Sequence, residues 1–214
     1  MTPPPAAAAS SARDGIALRL VRGAAVAPHL GDLARLRIAV FREWPYLYAG
    51  DAAYERDYLE VYARSPDSVF VLALDGETVV GASSGLPLAD EGEAFRAPFA
   101  AAGIDPASVF YFGESVLLPA YRGRGLGSAF FDAREAHAAA LGRFHWTAFC
   151  AVDREADDPR RPPEHRGNES LWRRRGYRRR DDLRCTLAWP EVDGGPDVAH
   201  ALTFRLRPLR AAVA

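Results

Sequence analysis

The run from Glu114 to Ser128, ESVLLPAYRGRGLGS, constrains this chain more than any other stretch, because it holds a strand, a tight turn and a helix start without interruption. Val109 to Leu118 is rich in β-branched and aromatic residues, the composition of a strand, and Pro119 marks where ladder pairing stops. Beyond the turn, Leu126, Ala129, Phe130, Ala133 and the apolar positions from Ala136 to Leu141 recur at three and four, which predicts an amphipathic helix. Between the two lie Gly123, Gly125 and Gly127, alternating with Arg122, Arg124 and Leu126, and followed by Ser128. Glycine permits positive φ and close backbone approach, and successive amides at a helix N-terminus form a site for phosphate or pyrophosphate. Arg122 and Arg124 can add charge-assisted contacts. A surface turn with an arginine edge is the plainer alternative, but it leaves the register of strand, turn and helix unexplained.

Two familiar glycine-rich motifs do not fit. A dinucleotide fingerprint spaces its glycines G-x-G-x-x-G, against strict alternation here, and a Walker loop requires lysine, which the chain lacks entirely. Arginine followed by alternating glycines, after a strand that ends in proline, resembles the coenzyme A pyrophosphate loop of the GNAT superfamily of acyl-CoA-dependent N-acyltransferases. Arg122, Gly125 and Gly127 occupy its defining places.

Composition excludes several classes of partner. With 27 basic against 28 acidic residues the formal charge is -1, so a nonspecific nucleic-acid or membrane-surface binder is not expected. Cys150 and Cys185, the only two cysteines, sit in apolar runs and read as core thiols of a reducing compartment rather than a disulfide framework or a metal set. No H-E-x-x-H or C-x-x-C occurs, and His137, His145 and His165 lack ligand spacing, so no metal is implied. Residues 1–14, rich in Pro, Ala and Ser, read as a disordered tail without a signal-peptide pattern, residues 15–208 as one domain and 209–214 as a second tail. No stretch is long and apolar enough to span a bilayer, and a cytoplasmic monomer or homodimer is expected.

Taken in order, the chain predicts a strand from Ile16, a helix from Pro28 to about Phe41, a loop around Pro45, and a helix over residues 52–63 capped by Asp51. The apolar side of that helix is read as Tyr54, Tyr58, Leu59 and Tyr62. Ser68–Leu74 and Thr78–Leu86 flank Asp75-Gly76, a strong hairpin signal. A short helix within residues 90–102, the main strand, the helix to about Leu141 and an interior strand at 144–152 follow. A helix from Asn168 to Arg175, closed by Gly176, precedes strands at 183–189 and 200–206. The fold class is mixed α/β. The order also resembles the GNAT fold, whose mostly antiparallel central sheet is flanked by helices and splayed beside its fourth strand, here residues 109–118.

The resemblance carries chemical expectations. It implies acetyl-CoA, or a short acyl-CoA, as cosubstrate, with the backbone of Val116, Leu117 and Leu118 pairing with the pantetheine arm and the pyrophosphate over Gly123 to Ser128. Amine acylation needs a neutral amine, stabilisation of the developing oxyanion and a proton for the departing thiolate. Glu114 is the carboxylate just upstream of the cofactor strand and resembles a glutamate that several family members carry there. It is read as a general base with a raised pKa, as an anchor for a cationic acceptor, or as a structural residue. Trp172 stands where many members carry a tyrosine that acts as general acid, and indole cannot take that role. Tyr177 follows at a position that is usually core. Asn168 caps its helix or, as an asparagine often does in the family, touches the coenzyme. The arginines at 173–175 and 178–180 form a solvated face or meet an acidic group.

The expected acceptor is a small-molecule primary amine, walled by the loop Trp44–Tyr48 and by residues 90–99, with Glu43, Asp90, Glu91 and Glu93 supplying negative potential. The competing readings are a protein or peptide N-acetyltransferase and a noncatalytic acyl-CoA-binding protein.

Overall fold

The structure, a computed structural model, describes residues 11–13 and 15–209. Its centre is a hairpin buried on both faces, β3 (Val69–Asp75) and β4 (Thr78–Pro87), joined by the expected turn with Gly76 at φ 57°. Period-two alternation divides β3 between two cores. Phe70, Leu72 and Leu74 join one core, while Val69, Val71 and Ala73 face the other way. The first core is covered by α1 (Leu30–Phe41), α2 (Ala52–Arg64) and α3 (Glu93–Ala101), and the opposite side by α4 (Leu126–Ala140). This gives the expected mixed α/β layers.

The remaining strands are β1 (Ser11–Arg13), β2 (Ile16–Arg22), β5 (Val109–Tyr111), β6 (Ser115–Leu117), β7 (Trp146–Val152), β8 (Arg178–Trp189) and β9 (Val198–Pro208). They run in the order β1-β2-β3-β4-β5-β7-β9-β8, with β6 paired to β4 off that path. Every pairing is antiparallel except β5 with β7. Ser11–Arg13, assigned by composition to a tail, instead pairs with Arg13↔Ile16 register across a turn at Gly15, φ 79°. The other residues of the two expected tails lie outside the described residues, apart from Leu209, whose amide donates to the His145 carbonyl.

The main strand expected over 109–118 is two strands. Tyr111 pairs with Leu86 of β4 on one side and Ala148 of β7 on the other, and the Phe112 amide still reaches the Ala148 carbonyl. From Gly113 onward the chain follows β4 alone, through Gly113 N–H to Ser84 O and Ser84 N–H to Glu114 O. Two contacts set the parting. A Cβ on Gly113 would stand 2.0 Å from the Tyr62 hydroxyl, so only glycine lets the strand pass there. On the other face Arg134 of α4, 1% exposed, donates at 3.0 Å to both Ser84 O and Glu114 O and at 2.8 Å to Ser115 Oγ, its guanidinium 4.3 Å over the Phe112 ring. Burial lowers its pKa to about 10, which leaves it charged at neutral pH.

α5 (Glu169–Arg174) ends as expected, with Gly176 at φ 85° and paired bonds from Gly176 to Arg173 and from Tyr177 to Trp172. β8 begins five residues before the expected strand, taking in Arg178–Arg180, which pair with Leu206–Phe204 before a register shift. The arginine run is therefore divided between a helix and a strand.

Candidate active site

β6 leaves one backbone edge without a neighbouring strand. Leu118 N–H donates to Val80 O and Ser84 N–H to Glu114 O, so antiparallel alternation turns the peptide groups of residues 114, 116 and 118 toward β4 and those of Ser115 and Leu117 toward the gap beside β7. This corrects the expectation that Val116, Leu117 and Leu118 all offer their backbone. Leu117 does, whereas Val116 and Leu118 are committed to β4. The Leu117 carbonyl accepts from Arg122 Nε at 3.0 Å.

The gap leads to the N-terminus of α4. Gly123 and Gly125 hold φ of 79° and 77°, left-handed values that a side chain would strain, and Gly125 is the N-cap residue. Leu126, Gly127 and Ser128 form the first turn, whose amides lack i−4 partners by helix geometry and carry the positive end of the helix dipole. Leu126 is buried, and a Cβ on Gly127 would make only ordinary contact, 3.8 Å from Leu171 of α5. Arg122 also pairs with Glu43 at 2.8 Å, and Arg124 donates to Ala120 O at 3.0 Å.

Asn168 occupies the N-cap position of α5 but makes no side-chain capping bond, contrary to the capping expectation. Trp172 packs 5.0 Å from Phe149 and lies under the Arg205 guanidinium at 4.5 Å. The Tyr177 hydroxyl is enclosed between Thr147 Oγ1 at 2.9 Å and Glu135 Oε1 at 3.1 Å, and burial together with Glu135 holds its pKa well above the ordinary value. The Tyr177 side chain is part of the aromatic core.

Glu114 lies where the strands part, and its carboxylate turns to the α1–α2 side. There it pairs with Arg37 Nη1, while Arg37 Nε pairs with Glu55. The guanidinium also lies 4.2 Å from the Tyr58 ring and 4.9 Å from Phe41. Arg37 and both carboxylates line a cavity of about 100 Å³ beneath the loop at 46–48. Half of its lining residues are aromatic, among them Tyr46, Tyr54, Phe95 and Trp189, and Gly113 and Cys150 form its end toward the gap. Glu55 is fully buried; desolvation raises its pKa against the pull of Arg37, and its Oε1 has no hydrogen-bond partner. Tyr58 O–H is tied to Tyr62, which donates to Glu91 at 2.9 Å.

The sequence model of the acetyltransferase (GNAT) family matches residues 34–158, from α1 through β7, and thus more than half of the chain. This protein is a member of the GNAT acetyltransferase family. No curated protein matches it in sequence. Among solved structures, an acetyltransferase of Streptococcus agalactiae 2603 superposes with a TM-score of 0.57 at 16% identity, covering 92% of this chain and 99% of that one. Arabidopsis thaliana NAA60 in complex with acetyl-CoA gives 0.59 at 14%, covering 91% and 98%. An aminoglycoside 6'-N-acetyltransferase complexed with coenzyme A gives 0.52 at 14%, covering 86% and 92%. At these identities the likeness is one of fold, and it bears out the splayed GNAT sheet.

The structure places Glu114 on the cavity and immediately before β6, whose chain runs on through the glycine turn to the α4 N-terminus. It does not bring the expected acids to the cavity. Glu43 is held by Arg122, Asp90 by Ser65, Glu93 by Arg96, and Glu91 is buried behind Tyr62. Trp44 points instead toward His165 and Arg154. The sequence reading missed Arg37 and Glu55. Their signal was position: Arg37 continues the buried stripe of Leu33 and Ala34, and Glu55 that of Leu59 and Tyr62, so each is a charge on the apolar face of its helix. Among the described residues no cluster could hold a metal ion, and no helix is long and apolar enough to cross a membrane.

Proposed function

We propose that this GNAT protein transfers an acetyl or short acyl group from acetyl-CoA to a primary amine of a small molecule. The observation that carries the reading is that the β6 edge facing the gap and the carboxylate-lined cavity meet at Gly113 and Glu114. A donor held along that edge would present its thioester where the cavity opens.

The residues present fit an acyl-CoA. The gap-facing peptide groups of Ser115 and Leu117 match the amides of a pantetheine arm, which would add to the sheet as a strand does. The amides of Leu126, Gly127 and Ser128 and the charges of Arg122 and Arg124 suit a pyrophosphate. Arg122 would exchange Leu117 O and Glu43 for that anion. Asn168 and Trp172, at and near the start of α5, would flank the arm from the opposite side. When bound, acetyl-CoA supplies the activated acyl group; the chain orients it and manages protons.

Proton acceptance falls to the carboxylate pair Glu55 and Glu114 rather than to Glu114 alone, since Arg37 binds both and carries one positive charge against their two negative charges. Trp172 cannot protonate the thiolate and Tyr177 is enclosed, so solvent supplies that proton. A small acceptor is favoured over a peptide because the cavity is roofed by Tyr46 and Tyr48, a loop held by Arg154, which donates to Pro45 O and Tyr46 O, and by Trp189 Nε1–H to Tyr46 O at 3.1 Å. Thiol release from acetyl-CoA, followed with a panel of amines and peptides, tests the reading. Amine-dependent release supports it, and turnover confined to peptides would overturn the small-molecule assignment.

A further inference from the structure

The cavity walls narrow the class of amine, an inference that rests on the acetyl-transfer reading and deepens it. Three features bear on the acceptor. Glu55 and Glu114 share the single cation Arg37, which leaves one surplus negative charge in a desolvated site. Arg37 is already engaged, through Nε and Nη1 with the two carboxylates and with the Tyr58 and Phe41 rings at 4.2 and 4.9 Å, so an incoming anion would compete with two carboxylates for it. Glu55 is one of the cavity's lining residues, and its buried Oε1 makes no hydrogen bond of normal geometry, with the Tyr48 hydroxyl beside the carboxylate; a ligand donor reaching Oε1 would satisfy it.

Around this charge the walls are ring faces. The hydroxyls of Tyr58 and Tyr111 are engaged, the first by Tyr62 at 3.0 Å and the second by Cys150 at 3.2 Å, so these side chains offer carbon to an occupant. Phe41, Tyr46 and Trp189 form a tilted aromatic series with centroid separations of 4.5 and 5.9 Å along the roof. Flat apolar bodies pack well in such a box, and a second or third charge on the ligand would be stranded against it.

We propose that the acceptor is a primary monoamine on a flat aromatic body, without a carboxylate of its own, whose ammonium docks on Glu55 Oε1. Glu55 then takes one N–H proton. The freed lone pair forms the N–C bond to the acyl carbon, the nitrogen gives up its second proton to solvent, the C–S bond breaks with its electron pair on sulfur, and the thiolate takes a proton from solvent. Burial of Glu55 suits it to that transfer, since its raised pKa brings it closer to that of an amine. An α-carboxylate on the acceptor would face Glu55 and Glu114, with the cation between them already paired to both.

The test compares four acceptors on the wild-type protein by thiol release from acetyl-CoA: 2-phenylethylamine, phenylalanine, butylamine and spermidine. The proposal expects kcat/KM for 2-phenylethylamine at least tenfold above butylamine and spermidine and a hundredfold above phenylalanine. Glu55→Gln should raise KM for the aromatic amine at least tenfold and flatten the pH dependence of kcat, while KM for acetyl-CoA stays unchanged. Preference for phenylalanine, butylamine or spermidine overturns the proposal without touching acetyl transfer. Calorimetry with acetyl-CoA alone separates the two failures: a protein that binds acetyl-CoA yet ignores the aromatic amine refutes the substrate class, and one that does not bind acetyl-CoA refutes the acetyl-transfer reading itself. The wild-type comparison decides the class even where the Glu55 variant fails to fold.

Discussion

Replacing Gly113 by alanine tests how the cleft is built. Gly113 does not have positive φ, so its backbone admits alanine and the cost comes from contact alone. The new methyl would meet Tyr62 Oη at 2.0 Å, Ser84 Oγ at 2.7 Å and Tyr62 Cζ at 2.8 Å. Serine can rotate away, but Tyr62 is fully buried, packed edge-on to Phe70 at 5.5 Å and bonded to Tyr58 and Glu91. Moving it costs about 1–3 kcal/mol of overpacking. Losing its bond to the buried Glu91 carboxylate adds about 1.5–3 kcal/mol. The sum, about 2.5–6 kcal/mol, would lower a urea midpoint by roughly 1.3–3 M at a slope of about 2 kcal/mol/M. Tyr62→Phe removes the oxygen that clashes, so the double variant should be more stable than the sum of the single effects by at least about 1 kcal/mol. A Gly113→Ala protein within about 1 kcal/mol of wild type, or strict additivity with Tyr62→Phe, would refute the argument that this contact parts the strands.

Arg37→Met should cost about 3–5 kcal/mol at pH 7.5, read by urea titration, because two buried carboxylates lose their cation. The deficit should shrink toward pH 5, since Glu55, whose folded pKa burial raises above the unfolded value, is penalised only as pH rises past that unfolded value. His137, whose Nε2 lies 2.8 Å from Asp67 O, has its pKa lowered by burial, so its neutral form is the one the fold favours. Its contribution is complete above about pH 6.5 and is lost as pH falls through that unfolded value toward the folded one; the pH dependence of Tm should therefore be weaker in His137→Gln over pH 5–7. Trp172→Phe should change KM for acetyl-CoA and leave kcat within about threefold, as expected of a packing residue; loss of turnover by orders of magnitude would give the indole another role.

Much of the strand, turn and helix from residue 109 to 140 was legible because it is local in sequence. The strand composition before Pro119, the alternating glycines and the helical period after them all lie within one run, and the Asp75-Gly76 hairpin was equally local. The break at Gly113 was not, since its cause is Tyr62 on a helix some fifty residues earlier. The acceptor side was read poorly for the same reason. Arg37 and Glu55 belong to different helices and meet Glu114 only in the fold, and Tyr54, placed on the apolar face of α2, is 57% exposed while Glu55 next to it is buried. The face was misjudged by one residue because aromatic content outweighed the stripe shared by Glu55, Leu59 and Tyr62. The arginines at 178–180 were read as a solvated face, and Arg178 and Arg179 are exposed; their pairing with β9 and the aspartate partners at 153, 181 and 182 depend on strand register and were not legible.

The central claim, that acetyl-CoA lies along β6 with its pyrophosphate at the α4 N-terminus, is tested most directly by calorimetric titration of acetyl-CoA into the wild type and into Ser128→Asp. Ser128 is the third residue of α4, where a carboxylate suits the helix dipole by about 0.3–1 kcal/mol, so the variant should melt at or slightly above the wild-type temperature. The same carboxylate would stand against a pyrophosphate. The account predicts saturable binding of acetyl-CoA to the wild type and at least a tenfold loss of affinity in Ser128→Asp, with folding intact. Equal affinity in the two proteins, or no binding to the wild type at millimolar acetyl-CoA, would contradict it.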